Sequence, residues 1–147
     1  MLLWLLLTVT TSQMGFDEAT TVHHFRLYQD GGAIEVDTKD TKEAKDTKGA
    51  KDTKGQVRAH LSHIAKMFGD GDFEAPMLVH DTKDVPGIAV LAERRAGMTY
   101  RYAETAGGGR VDIVTTDPAA LAALHEFLRY QIREHRTGDV LTIAPRR

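Results

Sequence analysis

The residues of this chain best equipped to do chemistry are its histidines, seven in 147 residues, with no cysteine beside them. His60, His63 and Met67 recur at intervals of three and four, so a helix carries them along one flank. Imidazole with thioether suits copper, whereas imidazoles alone suit zinc or nickel. His125 is in phase with Leu121, Leu128 and Ile132, an apolar stripe, and is expected to be partly buried. There it serves as a ligand or base facing a cavity, or as a structural imidazole bonded to a strand group. His135 returns to that face near the helix end, where the dipole favours a charged ring. His23 and His24 are adjacent on a strand, so only one faces the helices; phase with Phe25 and Leu27 selects His23. His80 follows Leu78-Val79. The candidate metal set is therefore His60 and His125 first, then His63, His24, His23 and Met67. His80 and His135 stand at the rim, and copper or zinc is the expected ion. The bland alternative makes Met67 a gap-filler and the helix histidines a bridge from apolar stripe to water.

Other chemistries have thinner support. Without cysteine there is no disulfide, thiolate nucleophile or thiolate metal site. Ser12 and Ser62 are the only serines, and neither sits in a nucleophile elbow. The glycines at 107–109 join two predicted strands with no lysine after them, which argues against a phosphate loop and a nucleotide cofactor. GDGDFE at 69–74 lacks the spacing of a calcium loop. A formal charge of -2 and no basic stripe give nucleic acid nothing to hold. Glu126 is next to His125 but points about 100° away around a helix, a poor general base. No reaction is identified, and a binding protein is expected ahead of an enzyme.

The elements that must position these residues form two hairpin-then-helix units. Thr21 to Gln29 and Ala33 to Asp37 alternate as strands around Asp30-Gly31-Gly32, a tight-turn signal. Val57 to Phe68 is a helix with Val57, Leu61, Ile64, Ala65 and Phe68 on its apolar stripe. Gly69 to Asp72 ends it, and Pro76 to His80 reads as a short extended segment. Val85-Pro86-Gly87 is a turn, and Ile88 to Arg95 a short helix. Met98 to Ala103 and Arg110 to Thr115 form the second hairpin. Asp117-Pro118 then opens a helix whose stripe is Leu121, Leu124, Leu128 and Ile132. The expected fold is α+β: an antiparallel sheet of at least four strands with both helices on one face. Val140 to Ile143 is expected as an edge strand. Exposed sheet edges leave a homodimer open as a partner arrangement.

Two stretches stand apart from residues 14–147 as a single domain. MLLWLLLTVTTSQ, residues 1–13, is apolar for about ten residues, too short for a membrane span of ~20. It matches the apolar region of an export signal but lacks a basic start, so a degenerate leader and a packed N-terminal strand or helix both stay open. Lys39 to Gln56 holds three hexapeptides, KDTKEA, KDTKGA and KDTKGQ, with six lysines and four acids. No apolar periodicity lets it repay its ordering entropy, so it is expected to be a surface linker.

The runs MGFDEATTVHHFRLYQDGGAIEV, RAHLSHIAKMF, GDFEAPMLVHD and GGRVDIVTTDPAALAALHEFLRYQIREHRTGD resemble a group of small bacterial proteins that usually carry an export leader. The resemblance covers most of Met14 to Asp139 and implies a periplasmic or secreted location, with a cytoplasmic one as the alternative. Some members bear an automatic label of aspartate carbamoyltransferase. This chain gives that label no support, being about half that catalytic chain's length and lacking its Ser-Thr-Arg-Thr-Arg phosphate-binding run. The hexapeptide tract is longer than the group's connector, and the leader is shorter. The resemblance carries no catalytic assignment. The functional expectation is a small protein that binds a transition metal or small molecule through histidines. The alternative is a non-enzymatic interaction domain with structural histidines.

Overall fold

The computed structural model describes Phe16, residues 18–39 and residues 48–147. The expected leader at 1–13 and positions 40–47 of the hexapeptide tract lie outside the described residues. The elements are β1 (Thr21–Tyr28), β2 (Gly31–Thr38), α1 (Lys48–Gly69), α2 (Glu74–Val79), α3 (Ile88–Glu93), β3 (Met98–Glu104), β4 (Gly108–Thr115) and α4 (Pro118–Glu134). The strands form one four-stranded antiparallel sheet in the order β1-β2-β4-β3. Each hairpin thus pairs within itself, and β2 joins β4 to unite the two units, with Ile34 opposite Val111 and Gly32 opposite Ile113.

Alternation along the strands decides what the helices cover. Phe25, Leu27, Ile34, Val36, Val111, Ile113 and Met98 are buried beneath the helices. Between them Arg26, Glu35, Arg110 and Asp112 face the other way and form an ion-pair network. Arg110 pairs with Glu35 and reaches Asp112 at 2.8 Å. Val57, Leu61, Ile64, Ala65 and Phe68 of α1 are buried in their expected stripe, as are Leu124, Leu128 and Ile132 of α4. The Asp117 carboxylate accepts from the backbone N–H groups of Ala119 and Ala120 at 2.9 and 3.3 Å, and Pro118 occupies the first helical position, so α4 starts where its sequence directs.

Three expectations need correction. The last nine residues of the hexapeptide tract, Lys48 to Gln56, are helical and extend α1 by more than two turns upstream of Val57. A helix already nucleated by the Val57–Phe68 stripe adds further turns at little cost, and lysine and alanine are good helix formers. Pro76 to His80 is not extended; Pro76 to Val79 lie in α2 and His80 is its C-cap. The Asp72 side chain accepts from the Glu74 N–H at 2.9 Å, and Pro76 falls in the first turn, where its missing N–H costs nothing. Val140 to Ile143 is not a strand. The C-terminal segment meets the edge of β1 at a single parallel bridge, between Tyr28 and Ala144. Arg146 holds it there, 2.9 Å from Asp30 and 2.7 Å from Asp112.

Candidate functional site

The sheet, α1, α2 and α4 line a partly open cavity of about 60 Å3. Its floor is His23, Phe25, Ile34 and Val36 of the sheet. One wall is His60, Leu61, Ile64 and Phe68 of α1, and the opposite wall is Phe127, Gln131 and His135 at the end of α4. Ala75, Pro76, Val79 and His80 close it from α2 and its C-cap. The helical residues obey helical spacing: 60, 64 and 68 follow one ridge of α1, and 127, 131 and 135 follow one ridge of α4. Four histidines from four separate elements therefore meet in a space whose other wall residues are apolar, Gln131 excepted.

Their rings touch. The His135 ring centroid is 5.1 Å from that of His23 and 5.1 Å from that of His80. Phe16, buried, places its ring 5.9 Å from His23 and 5.3 Å from His60. Burial lowers the His23 ring to about 4, with nearby His135, His60 and His24 adding to the effect. His60 is lowered to about 4 by burial and by His63. His135 is also lowered to about 4 by burial and by His80, against a smaller opposing pull from Glu134. At neutral pH these three rings are uncharged, and among the described residues no Asp, Glu, Lys or Arg lines the cavity.

The other expected site residues go elsewhere. His125 is buried under α4, but its Nε2 lies 2.9 Å from the carbonyl oxygens of both Tyr28 and Gly31. Both partners only accept, so Nε2 carries the proton and this face of the ring is committed to holding the β1–β2 turn. His60 and His125 do not meet, which corrects the expectation that they lead a metal set. His24 points away from the helices, and its Nδ1–H donates to Asp139 at 2.9 Å. Asp139 also accepts from the Phe25 N–H at 3.0 Å and from the Thr137 hydroxyl at 2.6 Å. Burial opposes ionisation of that carboxyl, but bonds from Thr137, Phe25 and His24 hold it below the usual carboxylate range. His63 is exposed, and Met67 packs against the core without lining the cavity. His80 and His135, expected at a rim, are wall residues. Among the described residues no three His, Cys, Asp or Glu side chains are arranged to hold a metal ion.

Gln131 was not singled out by the sequence reading. Its side-chain oxygen accepts from His80 Nε2–H at 2.8 Å, while its Nε2 has no acceptor among the described residues although Gln131 is only 4% exposed. The signal was present: a glutamine four residues from both Phe127 and His135 shares their ridge, and fully buried glutamine is uncommon unless partnered.

No helix among the described residues is long and apolar enough to cross a membrane. Comparison with family models, curated proteins and solved structures finds no match for the chain.

Proposed function

We propose that this domain binds a small, electrically neutral molecule in the cavity between sheet, α1 and α4. The observation that carries this reading is a cavity with an apolar wall, four histidines from four elements and, among the described residues, no charged one in its lining. Apolar walls with a few convergent polar groups are the usual make-up of a small-molecule site. Neutral imidazoles each offer one N–H and one lone pair, so they orient a polar group without selecting for charge. A cavity of about 60 Å3 is well short of the roughly 150 Å3 that holds benzene, which points to an occupant of about two to four heavy atoms. The test is ligand-observed NMR with a panel of such neutral molecules, on the parent and on Ala75→Phe, whose new ring fills the space. Binding by the parent that is lost in the folded variant supports the reading. No binding, or equal binding to both proteins, refutes it.

A second reading, a copper or zinc ion, draws on ring spacing. Two imidazoles on one tetrahedral ion have centroids roughly 5 Å apart, given metal–nitrogen bonds of ~2.0–2.1 Å. His135 stands at 5.1 Å from both His23 and His80, but His80 must first leave Gln131. Calorimetric titration of metal-free protein decides it: one equivalent bound and lost in His135→Ala supports an ion, and nothing tighter than millimolar removes it.

Membership in the group of exported bacterial proteins and an extracytoplasmic location belong to the same proposal, supported by the quoted motifs and the apolar start of the chain. With neither molecule nor ion bound, the interaction-domain reading moves ahead. Its homodimer would use β3, the sheet edge opposite the one met by the C-terminal segment.

A further inference from the structure

We infer that residues 74–84, with α2 at their centre, form a lid that opens as a unit over the cavity, and that the His80–Gln131 hydrogen bond is its latch; its role as a gate rests on the small-molecule reading above. Two anchors bound the stretch. Phe73 is 4% exposed and stacks on Phe68 at 4.4 Å, and Val85 is equally buried. Between these anchors only Pro76 is buried. The inner side of the stretch, Ala75, Pro76, Val79 and His80, lines the cavity, while Leu78 on the outer side is 52% exposed. Its backbone bonds close on the stretch itself or on its anchor: the Met77 N–H donates to the Phe73 carbonyl, the His80 N–H to that of Pro76 and the Thr82 N–H to that of Met77. A helix as short as α2 does not persist without packing. Among the described residues, one hydrogen bond ties the stretch to the body beyond its flanks, from His80 Nε2–H to the Gln131 side-chain oxygen at 2.8 Å. The His80 ring adds edge contacts to Tyr130 and His135, at 5.0 and 5.1 Å between centroids. Asp81, next to the latch, holds φ at 49°, a left-handed conformation that a residue other than glycine adopts at a cost. Little burial, one latch and a strained junction put this stretch at the low-stability end of the domain, where lids are found. Opening lifts its four wall residues off the cavity and widens the mouth through which a small molecule enters.

Amide hydrogen exchange followed by NMR tests this on the parent and on Gln131→Leu and His80→Ala, which cut the latch from its two sides. In the parent, the Met77 and Thr82 amides should exchange at least about 100-fold faster than those of Leu124 and Leu128 in α4. Either folded variant should speed the Met77 and Thr82 amides by a further factor of about 3 to 10 relative to the α4 pair. Met77 and Thr82 amides as slow as the α4 pair overturn the lid. Fast amides that neither variant accelerates overturn the latch. Acetone, a neutral molecule of four heavy atoms, then tests the gate: at about four times its dissociation constant it should slow the Met77 and Thr82 amides about fivefold. Acetone that binds and leaves those rates unchanged overturns the gate and leaves the small-molecule reading intact. Acetone that does not bind overturns the gate together with that reading, while the rates measured without it still decide the lid and its latch.

Discussion

Lowering the pH from 7 to 5 should destabilise this domain through three cavity histidines. His23, His60 and His135 are each held near pKa 4 by burial and by neighbouring imidazoles. In the unfolded chain each returns to about 6.5. Between these values the unfolded state binds more protons than the folded one, so stability is complete above about pH 6.5, drains as pH falls, and levels off below about 4. At pH 5 each ring alone costs about 2 kcal/mol. Their mutual repulsion is shared, so the three together cost roughly 4 kcal/mol, a large part of a stability of about 5–15 kcal/mol. With a urea slope of ~1.5 kcal/mol/M, the unfolding midpoint should fall by about 2–3 M between pH 7 and pH 5. Asp112, Asp117 and Asp139 are held below their ordinary range, so their protonation falls beneath this window and does not mimic the effect. In His135→Leu one titrating ring is removed and its repulsion on His23 disappears, so the pH-dependent loss should shrink by about half. Urea curves at pH 7, 6 and 5, followed by circular dichroism, measure both. A midpoint constant to within about 0.3 M across that range, or an undiminished loss in His135→Leu, would refute the neutral-cluster account.

Three further outcomes bear on the frame of the site. Leu128 is fully buried, and Leu128→Ala should cost ~2–5 kcal/mol in urea unfolding; a loss under about 1 kcal/mol would mean the inward face of α4 is misassigned. His125→Ala removes the donor shared by the Tyr28 and Gly31 carbonyls and leaves a cavity, for an expected ~2–4 kcal/mol, whereas exposed His63→Ala should stay within about 0.5 kcal/mol; equal costs would contradict the split between structural and surface histidines. Gly87 has φ of 83° and an added Cβ would sit 2.2 Å from the Ala123 carbonyl oxygen, so Gly87→Ala should lower thermal stability and loosen α3 from α4; an unchanged melting temperature would show that this contact yields freely.

The frame was readable because its signals are local. Alternation in VHHFRLY and GRVDIVT determines which side chains face the helices, and it places His23 with Phe25 and Leu27. Asp117-Pro118 marks the start of α4 for reasons confined to one helical turn. The four-stranded antiparallel sheet with helices on one face follows from two such units. The site was less readable because it depends on how distant elements cross. The spacing of His60 and of His125 on their own helices is alike, yet one faces the cavity and the other a turn carbonyl, because β1 and β2 end beneath His125. His80 lies inward as the C-cap of the helix at 74–79, and the apolar pair Leu78-Val79 does not distinguish a short helix from an extended segment. Gln131 shares a ridge with Phe127 and His135, and only the crossing of α4 over the sheet makes all three wall residues.

The central claim is that His23, His60, His80 and His135, with Gln131, surround a ligand while the other three histidines hold or decorate the fold. Imidazole 1H–15N correlation spectra of uniformly labelled protein, recorded during a titration with acetone, a neutral molecule of four heavy atoms, at pH 7, test it most directly. The account requires the side-chain resonances of His23, His60, His80 and His135 to move together with one dissociation constant, while those of His24, His63 and His125 stay in place. Perturbations centred on His24, His63 or His125, or no perturbation of the four cavity rings at saturating ketone, would contradict it.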